Sequence, residues 1–380
     1  MERPTGTQEL WDLAAALYGQ SQFEAALDCL RILESRMPQN PGLLANLGVV
    51  YRDSGDLIRA EHYLGRARAA QPEDPATHYN LALTLLRAGR LKEGFEEYEW
   101  RWQVEQFAGQ LRKFSQPLWR GERLDGRRIL IYGEQGAGDA IQFVRYAPLV
   151  RDAGGDVVVE VLPHLECLVS WMEGAYPVVN ALSTGVEFAL QCPFMSLPQR
   201  FGTELESIPA PARFSIPPAM QDKWAARLRT ERKNAGVVWA GNPRRYHDEA
   251  RSLAAGWLVP LTGLSGIQCW SLQVGPAAAD APAGISSLPE ELRDFGETAA
   301  VISALDLVIT VDTAVAHLAG SLNKPTWLLL PYTSDWRWLM DRADTPWYPS
   351  LRIFRQQRPH EWGDVIERVA SELESWSRER

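Results

Sequence analysis

Two turns in the second part of the sequence carry residue types suited to chemistry, a carboxylate at one helix start and a hydroxyl at another. The first is GEQGAGD, residues 133–139, a glycine-rich turn between an apolar run at Arg128–Tyr132 and a helical run at Gly138–Val150. Its order is G-x-x-G-x-G rather than the G-x-G-x-x-G of dinucleotide binding. Asp139 also opens the helix where a pyrophosphate would otherwise lie, and a carboxylate there repels phosphate. Glu160, at the end of the next apolar run DVVVEV, therefore does not mark a nicotinamide site. The second turn is Asp312-Thr313, set between the apolar run LDLVITV and a helical run through Gly320. Thr313 and Ala314 fall at a helix N-terminus just outside the carboxyl end of a strand, where open α/β sheets bind ligands. Backbone N–H groups, the positive end of the helix dipole and a hydroxyl form a diphosphate cradle there. A helix that is merely well capped fits the same residues.

These turns require elements to hold them. Arg128–Tyr132 and DVVVEV read as strands of a first α/β half, preceded by a Pro- and Gly-bearing connector over 116–126. A second half begins near Asn234, where NAGVVWAGNP, IQCWSLQVG and KPTWLLLP read as further strands. Two successive halves, each with a polar strand-to-helix turn, predict a ligand cleft between them.

Ahead of both lies a 34-residue period. Pro38 and Pro72, Leu13, Leu47 and Leu81, Ala14, Gly48 and Ala82, and Ala26, Ala60 and Gly94 each fall one period apart. Small residues at these points admit close helix pairs, and the prolines end each second helix. Tyr51 and Leu85 take the large apolar position of the first helix. Three tetratricopeptide-type repeats fit, at 7–40, 41–74 and 75–108. The run Glu99-Trp100-Arg101-Trp102 reads as an aromatic cap on the last one. Asn46 and Asn80 occupy equivalent points of two first helices, with Asp12 at the matching point of the first repeat. Their amides suit either a grip on an extended peptide backbone or hydrogen bonds within the stack.

Composition narrows the classes. The 380 residues hold 39 Lys+Arg against 48 Asp+Glu, a net charge of −9 that argues against a nucleic-acid face. Four cysteines without paired short spacing exclude a disulfide framework or a CxxC zinc knuckle. No apolar run approaches the ~20 residues of a membrane helix. The opening MERPTGTQELWDL lacks a basic-then-apolar leader, so a cytoplasmic location is expected.

GEQGAGDAIQFVRYAPLV, CPFMSLP, VVWAGNP…RS, SLQ and VDTAVAHLAGSLNKPTWLLLP, in this order, resemble the bacterial tetratricopeptide-repeat glycosyltransferases, relatives of the lipopolysaccharide heptosyltransferases. The repeats with their asparagines also resemble those of the protein O-GlcNAc transferases. The resemblance implies helical repeats followed by a GT-B glycosyltransferase of two Rossmann-like halves. It divides the chain into repeats (1–108), connector (109–126), an acceptor-side half (127–215), a linker (216–233), a nucleotide-sugar half (234–350) and a C-terminal packing helix (351–380). It implies that Asp139 is the base that takes the acceptor hydroxyl proton, with Gln135, Gly136, Gly138 and Gln142 as acceptor-side or loop residues. The donor nucleotide falls to Asp312, Thr313, Ala314 and His317, joined by Asn242 and Arg251. Arg251 is the expected bidentate cation for the leaving diphosphate. His317 either faces the donor or is a core histidine, and Asp139 is either base or helix cap.

Two departures accompany the resemblance. Val274 follows SLQ where relatives often carry Lys, and Gln191 precedes Cys192 where they often carry His. The expected activity is inverting transfer from a nucleotide-sugar, without a metal or other cofactor, to a protein or peptide held by Asn46, Asn80 and the repeats. A non-catalytic scaffold and a transferase acting on glycolipid or polysaccharide are the alternatives.

Overall fold

The computed structural model describes residues 6–109, 112–180, 185–243, 248–288 and 292–378. Residues 110 and 111 of the expected connector, and the first five residues of the expected repeat region, lie outside these ranges. The chain forms two compact units. The first comprises residues up to Arg112 with Gly202–Ser207 and Asp335–Asp341; the second comprises Lys113–Phe201, Ile208–Ser334 and Arg342–Arg380. Among the described residues no helix is long and apolar enough to cross a membrane.

The first unit is three helix pairs: α1 (Thr7–Gly19) with α2 (Phe23–Arg36), α3 (Pro41–Ser54) with α4 (Leu57–Ala70), and α5 (Pro75–Arg87) with α6 (Leu91–Tyr98). Their starts are written in the sequence. Pro41 and Pro75 take the first helical position, where no N–H is needed. Asn40 and Asp74 cap them by accepting the Leu43 and Thr77 N–H groups at 2.9 and 3.0 Å. The small residues of the period have a steric cause. A Cβ on Gly48 would meet Leu64 Cγ of α4 at 2.5 Å, and one on Gly94 would meet Leu86 Cγ at 2.6 Å. The aromatic run after α6 packs inward: Trp100 stacks on the buried His78 ring at 3.9 Å, and the buried Arg101 lies over Tyr98 and Trp102.

Polar groups stitch the first helices together. Asp53 is 6% exposed, accepts from Tyr18 Oη at 2.6 Å and from Arg52 Nε at 2.8 Å, and has Arg87 Nη1 at 3.8 Å. These contacts span all three repeats. Burial alone would raise the Asp53 carboxyl, but Arg52, Tyr18 and Arg87 together hold it below the ordinary aspartate value.

The second unit contains two parallel sheets. β1 (Arg128–Tyr132), β2 (Asp156–Val161), β3 (Val178–Asn180) and β4 (Leu190–Pro193) pair in the order β3-β2-β1-β4. β5 (Lys233–Val238), β6 (Ile267–Ser271), β7 (Ile285–Ser287), β8 (Leu307–Val311), β9 (Thr326–Leu330) and β10 (Leu351–Arg355) pair in the order β7-β6-β5-β8-β9-β10. Both orders reverse direction beside the first strand of the sheet, as in a doubly wound fold. Registers Ile131↔Val159 and Val237↔Ile309 set the central ladders. β8 and β9 are buried throughout, so they read as apolar runs rather than alternations.

Four expected boundaries change. The helical run after the first turn is broken into Ala137–Phe143, a 3₁₀ turn at Val144–Tyr146 and Ala147–Asp152, with Pro148 inside the last helix's first turn. The 216–233 linker holds a helix, Pro218–Arg227, anchored by the fully buried Trp224, whose Nε1 donates to Glu297 at 2.7 Å. The C-terminal segment is not all helix. Leu351–Arg355 is a sheet strand, and only then does Gly363–Arg378 bury Val365, Ile366, Val369 and Leu373 against the core. Finally, Asp335–Asp341, assigned by sequence to the second α/β half, belongs to the repeat unit.

Because its native pKa is lowered, Asp53 contributes stability that is complete above the ordinary carboxylate range and lost as pH falls through the lowered native value. Removing its charge takes the carboxylate from the buried Arg87 and the part-buried Arg52, so Asp53→Ala is expected to cost about 3–5 kcal/mol at pH 7. Urea unfolding of wild type and variant checks this, and the gap between them should narrow as the pH is taken down into the acid range.

Candidate functional site

The turn after β1 is built for backbone geometry first. Gly136 caps the helix Ala137–Phe143 with extended φ and ψ of −77° and 170°. Asp139, three residues on and half-buried, reaches back so that Oδ2 accepts the Gly136 N–H at 2.9 Å. This is the return arm of a capping box, and it fixes the carboxylate at the turn. The turn also crosses the point where the first sheet reverses. Glu134 Oε1 accepts the Met195 N–H at 3.1 Å from the segment after β4. Gln135 is half-buried and Gly136 exposed, while Gln142 is fully buried inside the helix.

A matching bridge spans the reversal point of the second sheet, between β5 and β8. Arg251 donates through Nε to Asp248 Oδ1 at 2.8 Å, and its Nη2 lies 2.7 Å from the same oxygen. Its Nη1 donates to the Asp312 carbonyl, just after β8, at 2.5 Å. Asp248 is 6% exposed and also accepts from Ser252 Oγ at 2.9 Å, which in turn accepts the Gly241 N–H at 2.9 Å. A Cβ on Gly241 would run into Asp248 and Arg251, so the glycine is required for this contact. Gln273, after β6 and 3% exposed, holds the same loop: Oε1 accepts the Trp239 and Ala240 N–H groups at 3.1 and 2.9 Å, and Nε2 donates to the Ala240 carbonyl at 3.1 Å.

Thr313 is the N-cap of the helix Ala314–Ser321. Its Oγ1 accepts the Val315 N–H at 3.3 Å and lies 3.1 Å from Thr310 Oγ1. Since Thr310 donates to the Val311 carbonyl at 2.8 Å, the proton between the two hydroxyls comes from Thr313. His317 is 5% exposed, with Nδ1 3.1 Å from the hydroxyl of the fully buried Tyr348.

The two helix starts meet at Gly138. A Cβ there would stand 2.8 Å from His317 Cδ2 and 3.4 Å from Ala314 Cα. Glycine therefore lets the Asp139 helix and the Thr313 helix approach with backbone nearly on side chain. Behind this crossing the buried Arg145 donates to the carbonyls of Gln142 at 2.8 Å, Pro209 at 3.1 Å and Trp347 at 3.2 Å, with its guanidinium over the Tyr348 ring.

The structure thus brings Gly138 against Ala314 and His317, and links Arg251 to Asp312. Asn242 is exposed on the loop after β5, followed by the exposed Pro243 and then by residues outside the described ranges. Two of the expected residues have partners within the protein. The Arg251 fork is occupied by Asp248, because a half-buried guanidinium beside a buried carboxylate pairs with it. Asn80 is engaged at both ends of its amide, accepting from Arg52 at 2.9 Å and donating to Ala76 at 2.9 Å, so it bonds within the stack. Asn46 is exposed on α3. Val274 is 51% exposed, and Gln191 lies buried in β4, where its backbone bridges Pro117 and Trp119. Asp248, Ser252, Gln273, Glu134 and Tyr348 were not singled out from sequence. Of these, Glu134, Ser252 and Gln273 lie in motifs the sequence had marked, GEQGAGD, RS and SLQ, whereas Asp248 and Tyr348 do not.

Two doubly wound parallel sheets, each with a polar turn at its reversal point, form a GT-B-like α/β unit, and helical repeats precede it in the chain. Residues 292–369 match the model of glycosyltransferase family 9 (heptosyltransferase), and residues 46–102 match a tetratricopeptide repeat. The chain thus has one segment similar to family 9 glycosyltransferases and another similar to tetratricopeptide repeats. It is 26% identical over 446 aligned positions to Protein FlbA of Caulobacter vibrioides (strain ATCC 19089 / CIP 103742 / CB 15), covering 99% of this chain and 74% of that protein. Among solved structures it is similar to the glycosyl transferase family 9 from Veillonella parvula DSM 2008, at 11% identity and TM-score 0.49, over 67% of this chain and 98% of that one. The E. coli ADP-heptose lps heptosyltransferase II is similar at 14% identity and TM-score 0.45, over 66% and 98%.

Gly138→Ala should cost about 1–3 kcal/mol, the usual penalty for an extra methyl in a packed contact. His317 is held by Tyr348 and cannot give way. Gly136→Ala, where a Cβ meets only Asp139 Oδ2 at 3.3 Å, should cost clearly less. Thermal unfolding of the two variants side by side checks the contrast; equal losses would remove the steric argument.

Proposed function

We propose that the second unit moves a sugar from a nucleotide-sugar to the hydroxyl of a polypeptide acceptor, with inversion and without a metal ion, and that the repeats hold the acceptor. The observation that supports this reading is the approach at Gly138, the residue before Asp139, to Ala314 and His317 of the Ala314–Ser321 helix in one unit. In the reaction the acceptor oxygen attacks the anomeric carbon, the bond to the diphosphate breaks, and the hydroxyl proton passes to Asp139. The diphosphate's growing charge is met by the first-turn N–H groups of the Ala314–Ser321 helix and its dipole. Arg251 holds the Asp312 carbonyl and so fixes that turn, while Gln273 fixes the loop beside it. Stacks of helical pairs present surfaces that suit polypeptides, which favours a protein acceptor over a lipid.

Thermal-shift screening against nucleoside diphosphates tests the donor side. A ligand at a hundredfold excess over its Kd stabilises by about 2.7 kcal/mol. Asp139→Asn keeps an acceptor oxygen for the Gly136 cap but removes the basic carboxylate. Turnover should fall by roughly 10²–10⁴ while nucleotide affinity stays near wild type. Near-wild-type turnover in this variant would remove Asp139 from the reaction.

The second expected outcome concerns metals. Because the leaving charge is assigned to the helix start, EDTA should leave turnover intact, measured with the nucleotide-sugar that the screen identifies. Loss of activity restored only by Mg²⁺ or Mn²⁺ would overturn the metal-free route.

A further inference from the structure

The segment Asp335–Asp341, DWRWLMD, is part of the repeat unit although the residues on both sides of it belong to the other. Asp335 caps a 3₁₀ turn, Trp336–Trp338, by accepting the Arg337 N–H at 3.1 Å, and its Oδ1 also pairs with Arg337 Nη1 at 2.9 Å. Trp336, Arg337, Trp338 and Leu339 are all buried. The seat is made by the third repeat. Trp336 meets the buried Phe95 of α6 edge-on, with centroids 5.5 Å apart, and Arg87 Nε of α5 donates to Met340 Sδ at 3.0 Å. The Asp335 carboxylate also acts on Tyr79 of α5, whose hydroxyl is pushed up first by burial, then by Tyr98 and Asp335.

The position of this seat follows from the repeat period. Asp53 of the second repeat faces Arg87, which comes from the third. Arg87 is the residue one period after Asp53, and the group that faces it is Met340. The segment therefore stands where a further repeat would supply its contact. It does so in a costly shape. Leu339 has φ 50° and ψ −164°, a conformation kept almost wholly for glycine, and Asp341 has φ 50°. Thioether sulfur is also a weak acceptor for a buried guanidinium.

We propose that Asp335–Asp341 is an internal ligand of the repeats: a displaceable strap on a site of the third repeat that recognises a polypeptide segment with an aromatic side chain and, four residues on, a methionine. An acceptor polypeptide carrying such a segment competes with the strap for this site. The proposal rests on reading the repeats as a polypeptide-holding stack. A strap tethered at both ends acts at an effective concentration near millimolar, so a free competitor is excluded unless it is abundant or the strap is weakened.

The probe is a labelled synthetic peptide with the sequence of Ser334–Arg342, followed by fluorescence anisotropy on the full-length chain. Trp336→Ala and, separately, Met340→Ala should bind it at least tenfold more tightly than wild type. Adding Arg87→Ala to Met340→Ala should abolish the gain. Equal binding by wild type and Met340→Ala, with unfolding temperatures unchanged, overturns the proposal. Hydrogen exchange on the wild-type protein gives a second reading free of any folding defect. Amides of 336–341 should exchange faster than those of β8, and equal protection would mean a permanent part of the core. The peptide assay involves no sugar transfer. Binding by the strap variants without transfer to any protein would leave this proposal standing and remove the protein-acceptor reading.

Discussion

The second unit depends on one missing side chain. At Gly138 the helix that begins the first half's turn lies against Ala314 and His317 of the second half's turn, and a Cβ there would come too close to the His317 ring. Everything behind the contact is arranged to keep it rigid. His317 leans on the hydroxyl of Tyr348, and a Cβ on Gly320 would meet the Tyr348 ring at 2.5 Å, so that ring too is packed without slack. Arg145 gathers carbonyls from three separate segments beneath it. A buried guanidinium without a carboxylate is tolerable here because carbonyl dipoles and two aromatic faces surround it.

The two sheets solve the same problem in related ways. A doubly wound sheet opens a crevice where strand order reverses, and the backbone at its mouth has no neighbouring strand to bond. In the first sheet a side-chain carboxylate, Glu134, crosses that mouth to an N–H group. In the second, a guanidinium, Arg251, crosses it to a carbonyl. The acidic side of the second bridge, Asp248, is itself bound by Ser252, so the loop after β5 is tied to the turn after β8 through one chain of polar contacts. Residues that look like ligand contacts in a linear motif thus also position the motif's neighbours.

Much of this architecture was legible from sequence, for identifiable reasons. Parallel strands buried on both faces leave uninterrupted apolar runs, so β1, β5, β8 and β9 stood out. The repeats stood out because close helix approach forces small residues at Gly48, Ala60, Ala82 and Gly94. Gly138 was noticed as part of a turn, but its partner was not visible, because the contact joins positions almost 180 residues apart. The engagement of Arg251 is more local, with Asp248 three residues away, and that of Asn80 joins adjacent repeats. Side-chain type announces what a group can bind, whereas Asp248 and Arg52 decide what it does bind. The break in the run after Gly138 was marked by Pro148, which starts a new helix more readily than it continues one. The assignment of Asp335–Asp341 to the repeats left no local trace, since its apolar residues would suit either unit.

The composition of the repeat unit bears on how the protein is made. Helical repeats are rich in local contacts and fold quickly once their residues have left the ribosome. Here the stack is complete in sequence by Arg112, yet two of its pieces, Gly202–Ser207 and Asp335–Asp341, are synthesised much later. At ordinary elongation rates the last piece arrives on the order of ten to forty seconds after the third repeat. Throughout that interval the nascent third repeat presents Phe95, Tyr79 and the Arg87 slot uncovered. This is a surface of the kind that chaperones hold, so the chain emerges with an unfinished end that its own later residues close.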